Sequence, residues 1–170
     1  MKNAILVAIS SVLLLGAPSG AEAQMPWPVH FGIAAGPTFS SDAEDVGYHV
    51  GALVNMDAYM LPVGFRVDGV MNQFSFPGGK TRIFNVTANM VYSMIPVPRA
   101  KPYLIGGLGF YGSRVSRSGD LGTNDVGVNV GGGVKFSLVV VNGFVDARYH
   151  HIFGENGGSG FIPVSIGITF

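Results

Sequence analysis

Cysteine is absent from this 170-residue chain. That excludes a disulfide framework, a thiolate metal site and a lipid-modified cysteine anchor. Charge is scarce, at 12% of residues, and balanced, with ten basic against ten acidic side chains. Such a balance points to no nucleic-acid or polyanion partner. A long apolar run is missing as well. The one extended apolar stretch, Ala4 to Leu15, falls short of the roughly 20 residues a membrane-spanning helix needs. What the chain does have is glycine, 26 residues of it, beside an apolar fraction of 48%. A soluble surface with so little charge would be unusual, whereas an apolar exterior around a small, polar interior accounts for the composition.

The first residues read as a cleavable secretory signal peptide over 1–23. Lys2 supplies the positive start, Ala4 to Leu15 the apolar stretch, and Ala21-Glu22-Ala23 the small-residue cleavage site before Gln24. Cleavage removes Lys2 and Glu22 and leaves the charge balanced. Residues 24–170 are then enough for one domain and no second one.

Period-two alternation fills that domain, and each run reads as a strand with one apolar face. From Val29 to Phe39, Val29, Phe31, Ile33, Ala35, Pro37 and Phe39 share a face. From Gly47 to Tyr59, Tyr48, Val50, Ala52, Val54 and Met56 oppose His49, Gly51, Asn55 and Asp57. From Val63 to Phe74, Phe65, Val67 and Met71 oppose Arg66, Asp68 and Asn72. From Arg82 to Met94, Phe84, Val86, Ala88, Met90 and Tyr92 oppose Asn85, Thr87 and Asn89. The fifth segment, Pro102 to Gly112, is so rich in glycine that its two faces cannot be distinguished. The sixth, Asn124 to Phe136, sets Val126, Val128, Val130 and Val134 against Asp125, Asn129 and Lys135. The seventh, Gly143 to Phe153, sets Val145, Ala147, Tyr149, His151 and Phe153 against Asp146, Arg148 and His150. The eighth, Phe161 to Phe170, presents Ile162, Val164, Ile166, Ile168 and Phe170 on one side.

Eight strands joined by hairpins predict an all-β fold, an eight-stranded antiparallel up-and-down transmembrane β-barrel over 24–170, with no free edge. About 11 residues at roughly 3.3 Å each, tilted by about 40°, rise roughly 28 Å, which matches a hydrocarbon core of about 25 to 30 Å. The tight connections, Leu61-Pro62, Ile95 to Lys101 and Val141-Asn142-Gly143, fall at one end. Longer polar stretches, Ser40 to Val46, Ser75 to Thr81, Ser113 to Thr123 and Gly154 to Gly160, fall at the other. Aromatic residues near the strand ends suggest interfacial girdles: Trp27, Tyr59, Tyr92, Tyr103 and Phe170 at one rim, and Phe39, Tyr48, Phe84 and Phe153 at the other.

These pieces, together with Pro102-Tyr103-Leu104-Ile105-Gly106-Gly107-Leu108-Gly109, Asp146-Ala147-Arg148-Tyr149 and Ile162-Pro163-Val164-Ser165-Ile166-Gly167-Ile168-Thr169-Phe170, give a chain that resembles the small eight-stranded outer-membrane β-barrels, the OmpA/OmpX-like barrel family. The resemblance covers all of 24–170 and implies a location in the bacterial outer membrane. It implies an assembly-signal role for Ile166, Ile168 and Phe170, read by the barrel-assembly machinery, and contact with outer-membrane lipids including lipopolysaccharide. With Phe170 as its last residue, the chain is expected to lack the peptidoglycan-binding domain of the longer members. Activity does not follow from this fold, which carries adhesins, structural proteins, narrow pores and lipid-modifying enzymes.

Chemistry is therefore sought in the predicted lumen. Its charged residues are Asp57, Arg66, Asp68, Lys135, Asp146 and Arg148, three of each sign. Equal numbers predict a mutually satisfied ion-pair cluster, since an uncompensated charge in a narrow barrel would be costly. The cluster is expected to be a structural filling of the lumen, with a gate opened by pair exchange as the alternative. Arg148-Tyr149-His150-His151 resembles the histidine segment of outer-membrane lipid A deacylases, but where that family has a serine this chain has Ile152 or Phe153. Adjacent His150 and His151 should face opposite sides, poor geometry for one metal. Gly131-Gly132-Gly133 opens no helix, so no phosphate cradle is implied. Lys80, Arg82, Arg114 and Arg117 stand near the outer leaflet, where lipopolysaccharide phosphates need cations, but Asp42, Glu44, Asp45 and Asp120 share that end, and ordinary solubilising loop charge is the favoured account.

The resulting expectation is a monomeric, non-enzymatic outer-membrane barrel without a cofactor, structural or interactive in role. A narrow ion or small-solute channel is the alternative. A lipid A-modifying enzyme and a soluble lipocalin-like barrel stand behind it, the last requiring the apolar face to point inward.

Overall fold

The structure, a computed structural model, describes residues 28–41, 46–58, 61–76, 79–94, 100–115, 122–137, 141–154 and 158–170. The signal-peptide segment 1–23, the aromatics Trp27 and Tyr59, and Arg117 with its neighbouring acidic loop residues lie outside these. Eight strands follow in order: β1 (Val29–Ser40), β2 (Val46–Asp57), β3 (Val63–Phe76), β4 (Gly79–Ser93), β5 (Lys101–Val115), β6 (Gly122–Ser137), β7 (Asn142–Phe153) and β8 (Ser159–Thr169). Each pairs antiparallel with its neighbours in sequence, and β8 closes on β1. Both ends of the described chain lie at one end of the barrel, here the terminus end, and the longer connections lie at the loop end.

The facing follows the alternation. Phe31, Ile33, Tyr48, Phe65, Phe84, Met90, Val130 and Ile166 are exposed on the outer wall, while His49, Asn55, Arg66, Asp68, Asn85, Thr87, Asn89, Asp146 and Arg148 are buried in the lumen. Soluble monomers rarely expose continuous apolar patches beyond a few hundred Å², so an outer wall of this kind belongs in lipid, with the polar groups satisfied inside. A lipocalin-like barrel has the reverse arrangement.

Two features differ from the sequence expectation. Strands β4 to β6 run further than the alternation indicates, reaching 15 or 16 residues, mainly at the loop end. Backbone pairing needs no apolar face once a strand leaves the hydrocarbon, so hydrophobic pattern alone understates its length. The fifth strand also acquires a phase: Leu104, Leu108 and Phe110 face out, and Tyr103, Ile105 and Tyr111 are buried inside. Tyr103, expected in the rim girdle, is thus a lumenal residue. Its hydroxyl finds a partner there that lipid could not offer.

Apolar residues also fill part of the lumen, in two clusters at different heights. Val91, Tyr103 and Ile105 pack towards the terminus end. Phe74, Ile83, Tyr111, Ile152 and Phe161 pack towards the loop end, with Tyr111 and Phe161 edge to face at 6.3 Å. The β1–β8 seam is interrupted between the pairs Ala35–Ile166 and Thr38–Pro163, where Pro37 and Pro163 each lack an N–H to donate. At the end of the seam Phe31 and Phe170 exchange backbone hydrogen bonds of 3.1 and 2.9 Å.

Candidate functional site

Between the two apolar clusters lies a charged layer built from β3 and β7. The i, i+2 spacing of Arg66 and Asp68 on β3, and of Asp146 and Arg148 on β7, sends all four side chains inward. Asp68 is the hub. It accepts from Arg66 Nε at 2.7 Å, from Arg148 Nη1 at 3.0 Å and from Asn89 Nδ2 at 2.8 Å. Asp146 Oδ2 accepts from Arg66 Nη1 at 2.9 Å and from the Tyr103 hydroxyl at 2.8 Å. Arg148 Nε stands 3.5 Å from Asp146 Oδ1, which closes the ring of four charges. The four side chains are 0–3% exposed. The Arg66 guanidinium also lies 4.6 Å above the centre of the Phe144 ring. Glycine on β6 makes room for this layer: a Cβ on Gly133 would stand 2.6 Å from Asp146 Cβ and 2.8 Å from Tyr103 Cζ.

The other two predicted lumenal charges are elsewhere. Asp57 and Lys135 pair with each other at 3.3 Å in the terminus-end mouth, with side chains 42% and 22% exposed. They line an open vestibule of about 580 Å³ together with His30, Asn55, Lys101 and Thr169. The six residues therefore form a sealed group of four and a solvated group of two.

Towards the loop end, a second polar network runs through uncharged groups that the sequence reading did not single out. His49 Nδ1 is 2.9 Å from Thr38 Oγ1, and its Nε2 is 3.0 Å from Ser165 Oγ. Asn72 donates to Asn85 Oδ1 at 2.8 Å. A hydroxyl within hydrogen-bond reach of an imidazole is the pairing a nucleophilic enzyme needs. Here, however, Ser165 and His49 are 1% and 3% exposed, and the void beside them holds only about 10 Å³. That is room for about one water, and none for an acyl chain or a sugar. The deacylase-like segment is also divided by the strand. His150 points inward, stacks on Phe161 at 4.8 Å and meets the Tyr111 hydroxyl at 2.8 Å. His151 lies between Tyr149 and Phe153, whose side chains stand on the outer wall. Among the described residues no group of three His, Cys, Asp or Glu side chains could hold a metal ion.

Ile166, Ile168 and Phe170 form an outward apolar row, 65%, 37% and 63% exposed, at the end of β8.

No family model matches the chain, and no curated protein matches it in sequence. Solved structures do match in fold. Neisserial surface protein A aligns with a TM-score of 0.69 at 20% identity, over 83% of this chain and 94% of that one. The N-terminal β-barrel domain of Pseudomonas aeruginosa OprF aligns at 0.54 and 15%, over 83% and 97%. The outer membrane enzyme PagL aligns at 0.56 and 16%, over 83% and 98%. The fold is that of the small eight-stranded outer-membrane β-barrels, which supports an outer-membrane location. It is shared by an enzyme and by proteins whose names mention no activity, so it does not by itself decide for or against catalysis.

Proposed function

We propose that this outer-membrane barrel is a non-catalytic envelope protein whose lumen is permanently filled, leaving the outer wall and the loop end to make its contacts. The observation that carries the reading is the sealed charged layer: four buried ionised side chains, two of each sign, paired with one another, with Arg66 Nη2, Asp146 Oδ1 and Arg148 Nε left without a hydrogen bond, and with apolar clusters nearer either end of the lumen. A conducting lumen needs a continuous wet path with weak, exchangeable sites. This layer has hydrogen-bonded ion pairs buried from bulk solvent, where removing either partner is costly.

Planar-bilayer recording tests the reading. The refolded protein is expected to give no discrete openings, and neutralising Asp68 or Arg148 should create leak current or prevent folding. Reproducible openings by the unaltered protein would support the narrow-channel alternative instead. Incubation with lipopolysaccharide is expected to release no fatty acid. As partners we propose outer-membrane lipids including lipopolysaccharide and, during biogenesis, the barrel-assembly machinery. The apolar row Ile166, Ile168, Phe170 supports the latter, and Phe170→Ala should lower the yield of assembled barrel in cells.

A further inference from the structure

Among the described residues the outer wall carries one place where like charges face each other without an opposing charge. Arg82 on β4 and Arg114 on β5 are direct cross-strand partners. Both belong to the outward set, since Phe84 and Phe110, an even number of residues away on the same strands, are 56% and 74% exposed. Directly opposite residues have Cβ atoms about 4.5 to 5.5 Å apart, and like charges there are destabilising. Lys80 lies two residues beyond Arg82 on the same face, adding a third cation.

No carboxylate among the described residues offsets them. Asp68 and Asp146 are inside the lumen, Asp57 is at the opposite mouth, and Asp125 faces inward beside Tyr111 in the register. Arg82 is oriented by a neutral group: Gln73, its partner on β3, accepts from Nε at 3.0 Å. Among the described residues the two terminal nitrogens of its guanidinium, and all of Arg114's, have no partner. Just below, Gly112 faces Phe84 across the strands, with the Asn124 side chain beside it. At comparable height on the seam side the outward residues are Phe39, Val46, Ile162 and Phe153. Among the described residues the cationic rim is thus confined to β4 and β5, directly above an apolar wall.

We propose that Arg82 and Arg114, with Lys80, form a phosphate-binding site for an outer-leaflet lipid carrying a phosphate monoester, as the lipid A part of lipopolysaccharide does. The inference rests on the membrane-spanning reading above. An anion relieves the repulsion between the facing arginines, and a planar guanidinium pair matches phosphate oxygens bidentately. A monoester brings nearly two negative charges, against one for a phosphodiester. The exposed Phe84 and Phe110 below the site are suited to acyl chains, so the ligand is an amphiphile lying along the barrel and not a free anion.

Binding of lipopolysaccharide to the refolded full-length protein in phosphatidylcholine nanodiscs tests this, with retained heat-modifiable gel mobility as the criterion of an intact barrel. A cation near the membrane surface contributes a factor of about five in affinity, so Arg82→Gln/Arg114→Gln should bind about thirtyfold more weakly. Lys101→Gln, which removes a cation from the opposite end, should bind as the parent does, and enzymatically dephosphorylated lipopolysaccharide should bind the parent as weakly as the intact lipid binds the double variant. Equal binding by a folded double variant would overturn the site. Binding of phosphatidylglycerol as tight as that of lipopolysaccharide would overturn the monoester assignment. Full competition by millimolar inorganic phosphate would overturn the lipid source. A protein lacking the heat-dependent shift and a strand spectrum would instead remove the barrel reading beneath the proposal.

Discussion

The lumen contains the same ion-pair chemistry in two settings. In the middle, Arg66, Asp68, Asp146 and Arg148 are 0–3% exposed and hold one another with four contacts of 2.7 to 3.5 Å. At the terminus-end mouth Asp57 and Lys135 make one contact of 3.3 Å in an open vestibule. In the mouth, water competes for both ions and salt screens them, so the pair contributes little. In the middle the side chains are shut off from bulk water, which cannot readily replace a lost partner. The charges there enforce one arrangement of the lumen because breaking it is so costly, even though the net gain from burying them is small. Exposure, and not the number of charges, separates a seal from a decoration.

Substitutions can break this contrast in order of size. Asp68→Ala leaves two buried arginines sharing one carboxylate, Asp146, and should cost about 3 to 5 kcal/mol, read as a lower urea midpoint for loss of the folded gel band. A change below about 1 kcal/mol would mean that water enters the layer. Tyr103→Phe keeps the ring but removes the hydrogen bond to Asp146, a loss of about 1.5 to 3 kcal/mol in the same assay, because the acceptor is charged. Gly133→Ala tests the packing side of the seal. Its methyl would press on the Val145 carbonyl oxygen as well as on Asp146 and Tyr103, at a cost of about 1 to 3 kcal/mol, and most of the effect should persist in a Tyr103→Ala background because the backbone cannot turn aside. Lys135→Gln should change the midpoint by less than about 1 kcal/mol, and repeating the titration in about 1 M salt should erase even that. If the Lys135 effect survived high salt while the Asp68 effect did not, the two settings would have been assigned the wrong way round.

Much of this is legible in the amino-acid sequence. Seven of the eight strands announced their facing through alternation, and the inward set included all four residues of the sealed layer. What alternation does not carry is height along the axis, which depends on the register of strands far apart in sequence. Asp57 and Asp68 looked equivalent on paper and lie in different environments. The fifth strand was unreadable because Gly106, Gly107, Gly109 and Gly112 remove the side chains that mark a face, and Tyr103 was misassigned for the same reason. The inward Phe74, Phe161 and Ile152 broke the apolar-out rule locally. They fill a lumen too narrow to be lined with polar groups throughout, and no short-range pattern reports that. Arg82 and Arg114 read as loop charges since the ladder continues beyond the apolar belt, where hydrophobic period gives no signal.

The interrupted seam bears on how the molecule would come apart under load. Strand β8 is fastened to β1 in two stretches, one below Ile166 that ends in the Phe31–Phe170 exchange and one above Pro163. Its pairing to β7 lapses at the same height, between Ala147–Val164 and His150–Phe161. A pulling force applied at the C-terminus would therefore meet two clasps with a slack link between them, and the last strand should peel from the wall in two rupture steps divided near Pro163.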